Sequence, residues 1–560
     1  MYTLGIGGGF GHDGSSCLLK DGELIAFAEE ERLIRVKLAY RAAPVRSVLY
    51  CVRRAGISLA DVGAVAFGWD PALDPDLAVL RETAKALLDA PALRQLRPSE
   101  IVYLPHHDCH AAMAVVASDY AADAVLVMDG RGETSSSTIY QTVDLDLSPV
   151  ASMDVLESLG SFYSSATRFA GFGRGGEGKL MGLAAYSDPA AAKSIPAFNL
   201  VDDGVTALLP ADRSSASPTE RHSQARSGWF QLFANTIGGA RDTPVPAPGP
   251  FDLLAADDHL PPSPWPGFAL AVQNELERVV DHLAGLAIAL TGAKHLALSG
   301  GVALNCSANG SLRRRLGPRL SVHALVGDAG TAIGAAALQQ YRHGIDVRPV
   351  RHAYLGPQWS DDELRACLEQ LGCGWREPSD LAAAVAAELA DGRVVGWFQD
   401  AAEAGPRALG HRSILAAPNR TGIAHKVNRL KRRERWRPFA PSVRREDAVA
   451  LFGVAEAPYM LEATEASPDA RLAVPEIIHH DGTSRLHVPQ PQTSGRFRDL
   501  LDRMKASTGH GVVLNTSFNI GPEPIVCTPV DAIRSFFGSP LDVLAMGPFV
   551  VTKSDSRKGR

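Results

Sequence analysis

At 560 residues and 59.5 kDa the chain exceeds what one ordinary core packs, and three or four packing units are expected. Its 62 acidic and 56 basic side chains leave a net charge of −6, too small a surplus of either sign for a dedicated nucleic-acid or membrane-surface protein, so any anion site must be built locally. Seven cysteines without paired spacing read as reduced thiols, no signal core opens the chain, no stretch reaches about 18 apolar residues, and a soluble cytoplasmic protein is expected.

Tyr2 to Ile6 is apolar, glycine dominates from Gly7 to Gly14, and Ser16 to Leu19 is extended again, which predicts a hairpin with His12 and Asp13 at its tip. His106 and His110 open a predicted helix that residues 111–116 continue. A strand over Ala124 to Met128 ends at Asp129 and enters Gly130-Arg131-Gly132-Glu133, where glycines let backbone amides face an anion. Residues 241–267 hold eight prolines and read as a surface loop or mobile lid. Apolar residues at helical spacing from Phe268 to Leu286 predict a helix that Gly292 stops. A buried strand, His295 to Leu298, runs into Ser299-Gly300-Gly301. A helix over Asn305 to Leu312, a strand over Ser321 to Val326 and a turn at Gly327-Asp328-Ala329-Gly330 follow. This alternation predicts an α/β fold with functional loops at strand C-termini. A junction is expected between 345 and 355, dividing the chain into domains at 1–345 and 350–560. The second opens with helices over Asp361 to Leu371 and Asp380 to Leu389 and a strand over Val394 to Phe398. No internal repeat is evident.

Four-residue spacing puts His106 and His110 on one helical face, where two nitrogens reach one metal ion, although histidines so placed also serve as caps or packing groups. Asp129 and Asp328 each stand at a strand end beside glycine, where an acid is costly unless it binds a cation or donors. Two His and two Asp suit Fe, Mn or Mg with positions left open for phosphate oxygens better than they suit tetrahedral structural zinc. The alternative is that both aspartates cap turns.

In the second half, Arg429 to Arg437 is the densest cationic run. It leads into Pro438-Phe439-Ala440-Pro441-Ser442, read as a stiff turn that fixes Arg437, which fits a compact anion pocket better than an RNA surface. Segments 403–413 and 514–519 supply further arginine, asparagine and hydroxyl groups, a mixture suited to phosphate oxygens and to an amide or ribose. Arg407 and Asn515 tying loops together is the competing reading.

Taken together, HDGSS at 12–16, AEEERLIR at 28–35, HHDCHAA at 106–112, MDGRGE, GKLMGLAAY at 178–186, SGGVALN at 299–305, GDAGTAIGAA at 327–336, GPRALGHRS, NRLKRRERWRPFAPS and VLNTSFN resemble the carbamoyltransferase family over nearly the whole chain. That family decorates nodulation factors, cephalosporins, aminoglycosides and macrolides. The resemblance implies an actin/sugar-kinase-like two-lobed N-terminal domain and a YrdC-like α/β C-terminal domain. It places Fe(II), with Mn or Mg as alternatives, on His106, His110, Asp129 and Asp328. It surrounds a nucleotide with Gly130, Gly132, Gly300, Gly301 and Asn305, and puts Lys37, Glu177 and Lys179 near the phosphate or acceptor. It makes His12 the general base, a role that an unperturbed pKa of about 6.5 suits. In the second domain it assigns ATP or carbamoyl phosphate to Arg407, Lys431, Arg437, Arg485 and Asn515, with Thr528 as a further hydroxyl. Pro522 departs from the family pattern, which has glycine before the Glu-Pro pair, and removes a backbone donor.

The implied reaction forms carbamoyl-adenylate from ATP and carbamoyl phosphate and passes the carbamoyl group to the hydroxyl of a small molecule, without nucleic acid or membrane as partner. Competing readings are an actin-fold sugar or small-molecule kinase, which leaves the second-half motifs unexplained, and a tRNA-modification protein, which the charge of −6 disfavours. Trp229, Phe230, Phe233 and Trp265 are candidates to line an apolar acceptor pocket, although aromatics so placed more often pack a core. They favour a hydrophobic antibiotic such as a macrolide over a polycation, since no acidic cluster lies there beyond Asp257-Asp258.

Overall fold

A computed structural model describes residues 1–553 apart from 10, 119–121, 189, 191–193, 210, 212, 216, 242–258 and 492–494. Most of the loop expected over 241–267, with Asp257 and Asp258, lies outside the described residues. The chain divides into two compact units, Met1–Val245 with Pro261–Ala353, and Pro246–Leu260 with Tyr354–Arg560.

In the first unit, strands β1 (Tyr2–Gly9), β2 (His12–Lys20) and β3 (Glu23–Glu29) form an antiparallel meander. Strands β4 (Ala64–Phe67) and β5 (Glu100–Tyr103) add in parallel beside β1, giving the order 3-2-1-4-5. Strands β6 (Ala124–Met128), β7 (Ser135–Val143) and β8 (Asp146–Asp154) make a second meander, followed by a small hairpin of β9 (Phe198–Val201) and β10 (Gly204–Ala207). Strands β11 (Leu296–Ser299) and β12 (Leu320–Val322) then add in parallel beside β6, giving 8-7-6-11-12. One topology therefore occurs twice although the sequence shows no repeat. This is the two-lobed, actin/sugar-kinase-like α/β arrangement expected.

β4 and β6 are apolar at every position because both their faces are covered. On one face of the first sheet, Leu4, Ile6 and Leu18 pack with Val48 and Cys51 of the Val45–Arg54 helix and Leu80 and Leu87 of the Ala78–Leu88 helix. On the other, the Thr331–Arg342 helix packs on β1 and against the His106–Ala117 helix, which also contacts β6 and β11. These two helices touch backbone to backbone: a Cβ on Gly334 would stand 1.9 Å from the Cys109 carbonyl oxygen.

Three expectations in this unit need correction. β1 runs to Gly9, so Gly7 and Gly9 belong to a strand and not a turn. A Cβ on Gly7 would meet the Ala332 nitrogen at 2.3 Å, and one on Gly9 would meet Asp328 Oδ2 at 1.7 Å, so these glycines are required by what packs on them. The aromatics form a core and not a pocket lining: Trp229 and Phe233 are fully buried, with ring centroids 5.1 and 5.7 Å from Phe162. Trp265 packs on Phe169 and Phe268, and only Phe230 has substantial exposure among the four. The expected strand to Val326 stops at Val322, where His323 Nδ1 takes up the Leu325 N–H at 3.3 Å as the chain leaves the sheet.

The second unit holds a seven-stranded sheet. Its strands are β13 (Trp375–Arg376), β14 (Val395–Phe398), β15 (Arg412–Ala416), β16 (Ala440–Val443), then, after the separate pair β17 (Ala463–Glu465) and β18 (Thr483–Arg485), β19 (Val512–Ser517), β20 (Val543–Met546) and β21 (Phe549–Thr552), in the order 13-21-20-14-15-19-16. Period-two alternation feeds two cores. Val395, Trp397, Leu415 and Val513 pack on the Leu381–Ala390 and Gly495–Thr508 helices, while Phe398, Ile414, Leu514 and Leu544 face the Ile423–Leu430 and Pro529–Phe537 helices. The segment expected as a stiff turn is largely strand β16. Pro441 is tolerated there because β16 is the sheet's edge, where a missing N–H breaks no ladder on the outer side.

Candidate functional site

In the first unit the two central helices and β6 bring four groups together. His106 and His110 lie on the first turns of one helix, Asp129 follows β6, and Asp328 precedes the Thr331–Arg342 helix. Their ligand atoms all lie within 4.8 Å of one another, and all four residues are buried. His106 Nδ1 donates to the Gly68 carbonyl at 2.9 Å, and His110 Nδ1 lies 3.2 Å from Ser299 Oγ, so each ring turns Nε2 inward. His106 Nε2 is 3.5 Å from Asp129 Oδ2, and His110 Nε2 is 3.4 Å from Asp328 Oδ1. Burial alone would lower the His106 pKa, but Asp129 and Asp328 outweigh it and raise it well above its ordinary value. Conversely, burial and Asp129's own neighbour Asp328 favour the neutral acids, yet the imidazoles hold both carboxyls below the usual range. Two inward Nε2 atoms only 3.1 Å apart, facing two buried carboxylates, are a donor set that fits a divalent cation.

The helix bearing both histidines starts at Pro105, which supplies no side-chain cap. Glu133 does so from a distance: its carboxylate accepts the His106 N–H at 3.1 Å and the Asp70 N–H at 2.8 Å. Burial raises the Glu133 pKa against these bonds. The sequence alone does not single out this residue, and its one signal is a helix opening on two histidines with no Ser, Thr or Asp at its start.

His12 opens β2, with Nδ1 3.0 Å from Asp13 Oδ2 and 3.5 Å from Asp328 Oδ2. Burial would lower its pKa, but Asp13 and Asp328 raise it to about 9, so the unperturbed value expected of a general base is not what the ring has here. Glu177, at the first turn of the Glu177–Ala184 helix, lies in the field of Arg168 and His12, and burial raises its pKa. Lys37 is exposed in a short turn and Lys179 is half-buried. That turn is organised by the acidic segment before it, since Glu31 accepts the Leu38 N–H at 2.6 Å and Glu30 accepts those of Arg46 and Ser47.

The glycine loops differ from expectation. The Gly301 N–H donates to Asp129 Oδ1 at 2.8 Å, and the Gly132 N–H to the Ser135 carbonyl at 2.7 Å, so neither amide faces an open anion site. Gly300, at φ +89°, lets the chain turn tightly against Met128. Gly130 alone of the four has open space where a side chain would stand. Asn305 caps the Cys306–Leu316 helix and exchanges two 3.0 Å bonds with Gln273, so its amide serves the fold.

In the second unit, β19 is antiparallel to both β15 and β16, so the end of β19, the loop before β15 and the segment before β16 meet at one end of the sheet. This collects Asn515, Arg407 and Arg437 from residues about 110 apart in sequence. Asn515 is 1% exposed; its Nδ2 donates to the Ala408 carbonyl and to Ser442 Oγ, and its Oδ1 has no partner among the described residues. Burial lowers the Arg437 pKa, and Glu434, 3.6 Å away, opposes it. Arg485 joins Arg437 through its field, and its buried Nε is unpartnered among the described residues. Arg433, which the sequence reading did not select, completes the trio: burial, with Arg437 and Arg485 beside it, pushes its guanidinium well below its ordinary value. Lys431 differs from expectation. Its Nζ donates to Ser517 Oγ at 3.2 Å and to the Asn519 carbonyl and Oδ1 at 3.1 and 2.9 Å, which fixes the 517–519 turn. Thr528 Oγ1 accepts the Asp531 N–H and forms a capping box at the Pro529–Phe537 helix, so it is a helix cap. Pro522 is exposed, and the turn it belongs to is held by Glu523, which accepts the Ile520 N–H at 3.0 Å.

The carbamoyltransferase N-terminus family model matches residues 77–203 and 230–337, and the carbamoyltransferase C-terminus model matches residues 386–553. The nodulation protein NolNO of Sinorhizobium fredii is 31% identical over 99% of this chain and 83% of its own. The chain belongs to the carbamoyltransferase family. Two further relatives are an uncharacterized Synechocystis protein, 33% identical over 99% of this chain and 97% of its own, and the nodulation protein NolO of Bradyrhizobium diazoefficiens, 33% identical over 80% and 78%. The C-terminus match lies within the second unit and the N-terminus match in the first apart from residues 246–260, and each unit has its own charged centre.

Proposed function

We propose that this carbamoyltransferase is ATP-dependent and uses carbamoyl phosphate, forming carbamoyl-adenylate in its second unit and transferring the carbamoyl group to a hydroxyl of an antibiotic-like natural product in its first. The observation that carries the reading is the convergence of His106, His110, Asp129 and Asp328 within 4.8 Å in the unit that matches the family's N-terminus. No helix among the described residues is long and apolar enough to cross a membrane, in keeping with a cytoplasmic enzyme.

In the second unit, water releases phosphate from carbamoyl phosphate, a carbamate oxygen attacks the α-phosphorus of ATP, and pyrophosphate leaves. Arg433, Arg437, Arg485 and Arg407 hold phosphate oxygens, with fork geometry suited to them. Asn515 Oδ1 accepts an N–H of the carbamoyl amide, which answers its missing partner. Lys431 acts through the 517–519 turn. In the first unit His106, His110, Asp129 and Asp328 would hold a divalent cation, Fe(II) before Mn or Mg, which would supply charge stabilisation at the adenylate phosphate. Gly130, Lys37, Glu177 and Lys179 border that nucleotide. His12, its Nδ1 held by Asp13, takes the hydroxyl proton when its ring is neutral; the hydroxyl oxygen attacks the carbamoyl carbon and AMP leaves.

Incubation with ATP and labelled carbamoyl phosphate, without acceptor, tests this reading. Pyrophosphate and labelled carbamoyl-adenylate, or AMP from its hydrolysis, formed only when carbamoyl phosphate is present are the expected products. ADP would point to a kinase, and the absence of either reaction to a scaffold.

A further inference from the structure

An asparagine amide offers a ligand either its oxygen or its NH2 group, and the two recognise different chemistry. For Asn515 the surroundings decide which. Its Nδ2 stands 3.1 Å from the Ala408 carbonyl, and because a carbonyl only accepts, the nitrogen belongs on that side and Oδ1 on the other. The carbonyl is itself held. The peptide joining Ala408 to Leu409 donates its N–H to Glu403 Oε1 at 2.7 Å, and the same oxygen accepts the His411 and Arg412 N–H groups at 2.8 and 3.0 Å.

The second amide proton of Asn515 goes to Ser442 Oγ at 2.8 Å. Ser442 then has its own proton to place, and His487 Nδ1 lies 2.7 Å away. With the serine donating, His487 carries its proton on Nε2, which has no partner among the described residues; the other tautomer would leave two buried groups unanswered, Nε2 and the serine hydroxyl. Burial, with His411 adding to it, lowers the His487 pKa to about 3, so the ring is neutral and Nδ1 keeps its lone pair. Its backbone fixes it beside the serine: the His487 N–H donates to the Pro441 carbonyl at 3.0 Å, and its carbonyl accepts the Val443 N–H at 2.8 Å. His487, Ser442 and Asn515 are all buried, and at the end of this relay Asn515 Oδ1 remains an acceptor without a partner among the described residues.

We propose that Ser442 and His487 are positioning residues that hold the Asn515 amide with its oxygen toward the ligand, and so make the second unit selective for an acyl phosphate that carries an N–H, a carbamoyl group, over one that carries a methyl, an acetyl group. This rests on the reading in which Asn515 meets the carbamoyl amide. A site built to accept a ligand N–H rejects the analogue lacking it, because a buried acceptor is then left unpaired. Without Ser442 the amide loses one of its two clamps and is free to turn; without His487 the serine proton is released to bond the amide oxygen and draw it from the ligand.

Phosphonoacetamide and acetonylphosphonate, stable mimics of carbamoyl and acetyl phosphate that differ only in NH2 against CH3, are titrated by calorimetry into the full chain and into its Ser442→Ala and His487→Phe variants. The wild type is expected to bind the amide at least tenfold more tightly than the ketone. In both variants the two ligands should bind within about threefold of each other, with ketone affinity within about twofold of wild type, whereas a merely structural role would weaken both ligands alike. His487→Asn, whose side-chain oxygen can take the place of Nδ1, should recover the preference. A wild type without the preference, or variants that keep it, overturns the proposal. Should His487→Phe not fold, Ser442→Ala, which removes a single oxygen, carries the comparison. Pyrophosphate formation by the wild type from ATP and carbamoyl phosphate is measured in parallel: its absence defeats the transferase reading and the proposal with it, and its presence beside an undiminished preference in the variants defeats the positioning role alone.

Discussion

The centres of the two units are built from opposite charges in opposite ways. In the first, imidazoles and carboxylates converge within 4.8 Å, and each histidine's outer nitrogen is fixed by a backbone carbonyl or a hydroxyl. Helices packed backbone to backbone leave those side chains little freedom to separate. In the second, cations arrive from separate segments at one end of a sheet, and the buried Arg485 Nε and Asn515 Oδ1 have no partner among the described residues. The parts of the first already satisfy one another, whereas the second holds buried polar atoms that the described fold leaves unanswered.

The sharpest way to break this contrast is to remove one acid. Asp328→Asn is expected to lower carbamoyl transfer by about 10²–10³-fold, the scale of losing one preorganised electrostatic group. Carbamoyl-phosphate-dependent pyrophosphate formation should change by no more than about twofold if the centres are independent. Arg437→Ala should lower pyrophosphate formation and, with it, the transfer that depends on activation. Equal loss of both activities from Asp328→Asn, measured by product chromatography, would merge the two centres into one.

A weaker perturbation reaches the first centre through its helix. Glu133→Ala leaves the His106 and Asp70 N–H groups without their acceptor and should lower divalent-metal affinity by about 10–100-fold, as loss of an outer supporting bond does. Glu133→Gln, which keeps an acceptor oxygen, should recover most of it. Chelator competition reads both variants, and identical affinities in all three proteins would remove Glu133 from the centre.

The charge of the first centre can also be read by titration. Asp13 and Asp328 hold His12 at about 9 in the metal-free protein, above the 6.5 of a free ring. A raised pKa stabilises the fold fully below pH 6.5, and that contribution is lost as pH rises through 9. NMR of the His12 ring should show a midpoint near 9 that falls when Mg is added. The ring is 37% exposed, so solvent screens the associated change in stability. A midpoint near 6.5 without metal would mean that the carboxylates do not govern it.

These residues were legible in the sequence to unequal degrees. His106, His110, Asp129 and Asp328 stood out because helical spacing and acids at strand ends are local signals. Glu133 caps a helix 27 positions earlier, a relation no local pattern carries. The glycines of β1 looked like a turn because glycine ordinarily breaks a strand, and only the packing of Asp328 and the Thr331–Arg342 helix explains them. Which arginines of a run are buried beside one another is likewise a tertiary fact, which is why Arg437 stood out through the turn after it while Arg433, in the same run, did not. The duplicated strand order was hidden for the same reason, since topology is shared by halves whose side chains differ.

The smallest effect separates a binding hydroxyl from a cap. Thr528 lies in the matched C-terminal half, but its Oγ1 accepts the Asp531 N–H at 3.1 Å while Asp531 returns a bond to the Thr528 N–H at 2.9 Å. Thr528→Ala removes one of these reciprocal bonds and should cost about 1 kcal/mol of stability, measured by urea unfolding. Thr528→Ser keeps the hydroxyl and should cost little. The KM values for ATP and carbamoyl phosphate should stay within about twofold in both variants, because a cap acts on the folded fraction and not on the ligand. A rise in either KM on Thr528→Ala, reversed by Thr528→Ser without any change in stability, would place the hydroxyl in the anion pocket and enlarge the second centre by one donor.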